Sequence, residues 1–102
     1  MSNNSTTTLI TGTKSIGSFV FSYKIGTVTN EITVDTSFDD LKLGINTLTP
    51  ENSNKEFFKN LGIQILEGSL SANFQTSELS CMVGITINGG VVYENRGTLV
   101  RW

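Results

Sequence analysis

The chain has 102 residues, the size of one domain, which is long enough to bury a core without disulfides or metals. Its single cysteine, Cys81, rules out an internal disulfide, and the lack of histidine removes the usual zinc ligand sets and the commonest general acid/base. Only 16% of residues are charged, against ~25% in an average domain, and the net charge of −2 with scattered Lys and Arg offers no basic face for nucleic acid.

Polarity comes instead from Ser, Thr and Asn, which make up 35 residues. Sparse charge weakens the repulsion that keeps molecules apart and so favours association. Residues 1–8 read as a flexible polar tail, with neither the basic start nor the apolar stretch of a signal peptide. No apolar run approaches the ~20 residues of a membrane span, and a cytoplasmic location is the expectation. Residues 9–102 read as a single β-rich domain.

Leu9 and Ile10 begin a first strand. Gly12-Thr13-Lys14-Ser15 lacks the spacing of a phosphate-binding loop and reads as a turn at a strand edge. Phe19, Phe21 and Tyr23 alternate with Val20, Ser22 and Lys24, and Ile32 and Val34 alternate with Glu31 and Thr33. That period of two is a strand with one buried face. Asn30 tolerates positive φ and is the expected pivot of the hairpin between them.

A helical insert is predicted over 37–61. Ser37 with Asp40 resembles a capping box, and Phe38, Leu41, Ile45 and Leu48 follow at helical spacing. Thr49, Pro50 and Glu51 form a stronger helix start, Phe57, Phe58 and Leu61 its apolar side, and Gly62 its end. Strands then resume. A parity change between Ile63/Ile65 and Leu66/Leu70/Ala72/Phe74 predicts a bulge near Leu66–Gly68.

Leu79, Cys81, Val83, Ile85 and Ile87 form a one-faced strand, closed by a turn at Asn88-Gly89-Gly90. A three-residue loop sets Ile87 opposite Val91, Ile85 opposite Tyr93 and Leu79 opposite Leu99. A two-residue loop sets Val83 opposite Glu94 and Cys81 opposite Arg96. The first keeps charge off the apolar face and is preferred. In that register Met82, Val92, Val100 and Trp102 share the opposite face.

Strands, a helical insert and strands again, without βαβ alternation, predict a mainly β fold. The expected form is a small Greek-key barrel, OB-fold-like, with a β-sandwich carrying a helical lid as the alternative.

The candidate chemistry is thin. Asp35, Asp39 and Asp40 lack the alternation and distal Glu of a calcium loop and read as helix caps. Cys81 lies among apolar neighbours and reads as core rather than nucleophile. Nothing in the sequence brings Glu67 and Glu78 together as an acid/base pair. No catalytic, cofactor or metal site is expected.

In size, sparse charge and a leaderless β-rich chain, from Leu9-Ile10-Thr11-Gly12 to Asn88-Gly89-Gly90-Val91-Val92-Tyr93, the sequence resembles the small bacterial crystalline-inclusion proteins. The resemblance implies a non-enzymatic, self-assembling protein that forms homo-oligomers or ordered inclusions inside the cell. It carries over no residue-level role. The self-association interface expected from the residues is Met82, Val92, Val100 and Trp102. The alternative is a small lectin-like module binding a glycan through Asn/Thr loops with Tyr93 or Trp102. Neither nucleic acid nor membrane is an expected partner.

Overall fold

The computed structural model describes residues 9–102; the polar tail expected at 1–8 lies outside the described residues. Eight strands follow one another: β1 Leu9–Ile16, β2 Phe19–Gly26, β3 Glu31–Phe38, β4 Leu41–Leu48, β5 Asn54–Asn60, β6 Gln64–Asn73, β7 Glu78–Ile87 and β8 Gly90–Arg101. They form two four-stranded antiparallel sheets, β1-β2-β3-β4 and β5-β6-β7-β8. Every strand within a sheet pairs with its sequence neighbour, because the connections within each sheet are two to four residues, too short for a crossover. The order is therefore a meander in each sheet, where a Greek key was expected, and the sheets do not close into a barrel.

The two sheets pack face to face as a sandwich. Phe19, Phe21, Ile25, Ile32 and Val34 from the first sheet join Phe57, Leu66, Leu70, Leu79 and Val83 from the second in one buried cluster. The Phe57 ring centroid lies 6.0 Å from that of Phe19 and 6.1 Å from that of Phe21, which ties the layers together. Its cross-strand partner is Gly68, where any side chain would collide with the Phe57 ring and the Met82 carbonyl. Tyr23 covers Gly12 in the same way across β1 and β2.

No helix forms over 37–61; this segment supplies β4, β5 and the end of β3. Asp39 (φ 51°) makes the tight β3–β4 turn, a position that Asp tolerates. Thr49 and Asn52 exchange backbone hydrogen bonds of 3.1 and 3.0 Å around Pro50-Glu51, and the Thr49 hydroxyl accepts the Asn52 N–H at 3.2 Å. Asp, Thr and Pro serve turns and helix starts for one reason: a short side-chain oxygen satisfies a nearby N–H, and proline pre-sets φ. The apparent helical spacing in β4 comes from a bulge at Thr36/Ser37, which shifts parity so that Leu48 is buried while Ile45 is exposed.

Other details also move. Gly12–Ser15 lies within β1 rather than in a turn. The register of β6 runs unbroken from Gln64 to Asn73, so no bulge occurs at Leu66–Gly68. Gly68 is simply the inward position where Phe57 stands in for a side chain. The hairpin at 26–31 forms as expected, with Asn30 at φ 55°.

Candidate functional site

The second sheet carries the features that bear on function. The β7–β8 turn is the two-residue loop Asn88-Gly89, both at positive φ, and Ile87 faces Gly90. A bulge between Ile85 and Thr86 on the ladder then restores the register preferred from the sequence, with Ile85 opposite Tyr93 and Val83 opposite Asn95. The three-residue loop expected at the tip does not form, while the charge-free inner face expected along the strand does. A second shift at Leu79/Ser80 bulges Leu99 inward and sets Val100, not Leu99, opposite Leu79.

That second bulge divides the residues expected to form one face. Val100 and Trp102 pack against the core, Trp102 meeting Phe74 edge to face at 6.1 Å. Met82 and Val92 remain exposed. Tyr93 is half-buried against Gly17, and its hydroxyl accepts the Asn95 amide N–H at 3.3 Å.

The sequence reading missed a larger exposed group. Phe58 (62% exposed), Leu61, Ile63 (69%), Ile87, Val91 (63%) and Val92 gather at one end of the second sheet. The Asn88 N–H donates to the Ile63 carbonyl, which joins the β5–β6 and β7–β8 turns. Ile87 has the inward parity of Leu79, Cys81 and Val83 yet is exposed, so this end projects beyond the cover of the first sheet. Adjacent phenylalanines were the available signal: on a strand they must face opposite ways, and only one can be core.

Beside this end lies a shallow groove of about 360 Å³ on the outer face. Pairing aligns Phe58, Glu67, Gly84 and Glu94 in one row across the four strands. Gly84 leaves the floor open, Phe58 and Met82 form apolar walls, and Glu56, Glu67 and Glu94 supply acceptors.

The residues weighed for chemistry stay apart. Asp35 pairs with Lys42 at 3.7 Å on the outer face of the first sheet, while Asp39 and Asp40 sit in the β3–β4 turn. Glu78 binds Arg101 at 2.8 Å and accepts the Thr98 hydroxyl at 3.3 Å, at the opposite end of the sheet from Glu67. Cys81 is buried, which pushes its thiol up from 9.0 to about 11 despite a hydrogen bond from the Gly97 backbone. Among the described residues no group of three or more His, Cys, Asp or Glu is placed to hold a metal, and no helix is long and apolar enough to cross a membrane. In comparisons with known proteins, no family model, curated protein or solved structure matches the chain.

Proposed function

We propose that this protein is a non-enzymatic, self-associating structural protein whose contacts lie on the C-terminal sheet. The observation that carries this reading is the exposed apolar end formed by Phe58, Leu61, Ile63, Ile87, Val91 and Val92. Exposed apolar side chains gathered at one end of a folded domain mark a candidate interaction surface. The low charge of the chain leaves little repulsion to oppose contact between copies. Within the set expected from sequence, Val92 belongs to this patch and Met82 to the adjoining groove, whereas Val100 and Trp102 are half-buried against the core. Ordered inclusions follow if more than one such contact operates per subunit.

The test is Ile63→Lys with Val91→Lys, followed by light scattering and circular dichroism. The expected outcome is an unchanged fold and a smaller particle. An unchanged particle size would remove the apolar end from the interface.

The row Phe58–Glu67–Gly84–Glu94 favours a second reading, a glycan-binding module, because an aromatic wall beside carboxylate acceptors suits a sugar's C–H face and hydroxyls. A glycan array supports that reading if binding appears and is lost in Phe58→Ala.

A further inference from the structure

A sandwich of two open sheets has four edge strands, here β1, β4, β5 and β8. Unpaired edges invite pairing with another chain, and proteins blunt them with bulges or inward-pointing charges. On three of the four such a device interrupts the edge, whereas the bulges of β8 lie toward its two ends, at Val92 and Leu99. Lys14 on β1 stands opposite buried Phe21, on the inward side of its sheet. Lys55 and Lys59 on β5 stand opposite buried Leu70 and Leu66. The β4 ladder is broken by the bulge at Thr36/Ser37, with Gly44 at φ 128°.

The remaining edge, β8, is the longest strand at 12 residues. Between its two bulges the stretch Tyr93–Thr98 runs in regular register, and its inward positions Tyr93, Asn95 and Gly97 carry no charge. The outward backbone direction can be assigned. The Tyr93 carbonyl lies 3.9 Å from the Cβ position of Gly84 on β7, so the odd-numbered residues of this stretch turn their backbone groups toward β7. N–H directions alternate along a strand, so Glu94, Arg96 and Thr98 turn theirs to the open side. Consistently, the Arg96 N–H is accepted by the Asn95 side chain at 2.9 Å, a local cover that another strand can replace.

We infer that β8 pairs antiparallel with β8 of a second copy about a twofold axis at Asn95. The charges are the reason. In that register Glu94 faces the partner's Arg96 and Arg96 faces the partner's Glu94. Both side chains are exposed, and neither makes an ion pair among the described residues. Both also present outward N–H and C=O groups, so the charged pairs coincide with hydrogen-bonded ladder pairs. Tyr93 faces the partner's Gly97 as an uncharged pair on the inner face, while each Tyr93 ring stays against Gly17 of its own chain. Two four-stranded sheets become one of eight strands, and the exposed Val91 and Val92 continue the contact beyond the bulge. This is an isologous contact, and it rests on the self-association reading while specifying its surface and register.

Charge reversal tests the register. Glu94→Arg places arginine against arginine across the axis, and Arg96→Glu places glutamate against glutamate. Each variant alone should self-associate about tenfold or more weakly than wild type, because both symmetric contacts turn repulsive. Mixed in equal amounts, the two variants should form a heterodimer, since every contact between them is again opposite in sign. The doubly reversed E94R/R96E chain should regain self-association. Both substituted positions are exposed, so circular dichroism should be unchanged. If wild type associates but the single variants match it, or their mixture gains nothing, the β8 pairing is wrong and self-association through the apolar end still stands. If wild type is monomeric at every concentration, both fall.

Discussion

Phe57→Ala should be the most damaging single truncation in the second sheet, and its neighbour Phe58→Ala nearly silent. The Phe57 ring is 5% exposed, whereas that of Phe58 is 62% exposed. A buried phenylalanine removes ~150–250 Å² from water, which at ~25 cal/mol per Å² is worth about 4–6 kcal/mol as an upper bound. Measured truncations of this kind cost about 3–5 kcal/mol. The upper part of that range is expected, because Gly68 beneath the ring has no side chain to move into the cavity and Phe19 and Phe21 hold the far wall. The loss is a large share of the ~5–15 kcal/mol that stabilises a typical domain. Phe58→Ala should cost less than ~0.5 kcal/mol. Urea unfolding followed by circular dichroism measures both. Similar costs for the two would refute the strand at 54–60, since a strand must turn adjacent residues to opposite faces.

Gly68→Ala should destabilise by a comparable mechanism, its methyl colliding with the Met82 carbonyl and the Phe57 ring; thermal melts should show a lower midpoint, and an unchanged one would contradict the close approach. Thr36→Val should stabilise by about 1 kcal/mol, because the Thr36 hydroxyl is buried with no hydrogen-bond partner among the described residues; a loss in urea titrations would mean that the hydroxyl is satisfied. Burial raises the Cys81 thiol from 9.0 to about 11, so folding favours the protonated form. That contribution, on the order of 2–3 kcal/mol, is complete below the unfolded value and is lost as the pH rises from 9 toward 11. Cys81→Ala should therefore flatten the alkaline fall in stability, and labelling of the native thiol should be slow until the chain unfolds; rapid labelling at neutral pH would contradict a buried Cys81.

The β character was legible wherever one face is buried throughout. Phe19–Phe21–Tyr23 and Leu79–Cys81–Val83 alternate cleanly because the opposite sheet covers every second residue. Asn30 and Asn88-Gly89 announced their turns through the positive φ they tolerate. The 37–61 segment misled because it lies on edge strands β4 and β5, where half-exposed positions and a bulge erase the period of two. Its turn residues also share their chemistry with helix caps. The candidate interface was only partly visible. Its patch is assembled from two turns distant in sequence, Leu61–Ile63 and Ile87–Val92, brought together by the sheet and by the Asn88–Ile63 hydrogen bond. Periodicity within one segment cannot show such a patch. The inward bulge at Leu99 was equally hidden, and it is what turns Val100 and Trp102 toward the core.

Self-association through the C-terminal sheet is the property on which the proposed function rests. Sedimentation velocity of the wild-type protein over a wide concentration series, run at low and high salt, measures this directly. The mass should rise with concentration to a dimer or beyond, with assembly weakened but not abolished by salt, because apolar contact persists when the Glu94–Arg96 pairs are screened. A single species at the monomer mass across the whole series, at either salt concentration, would contradict it.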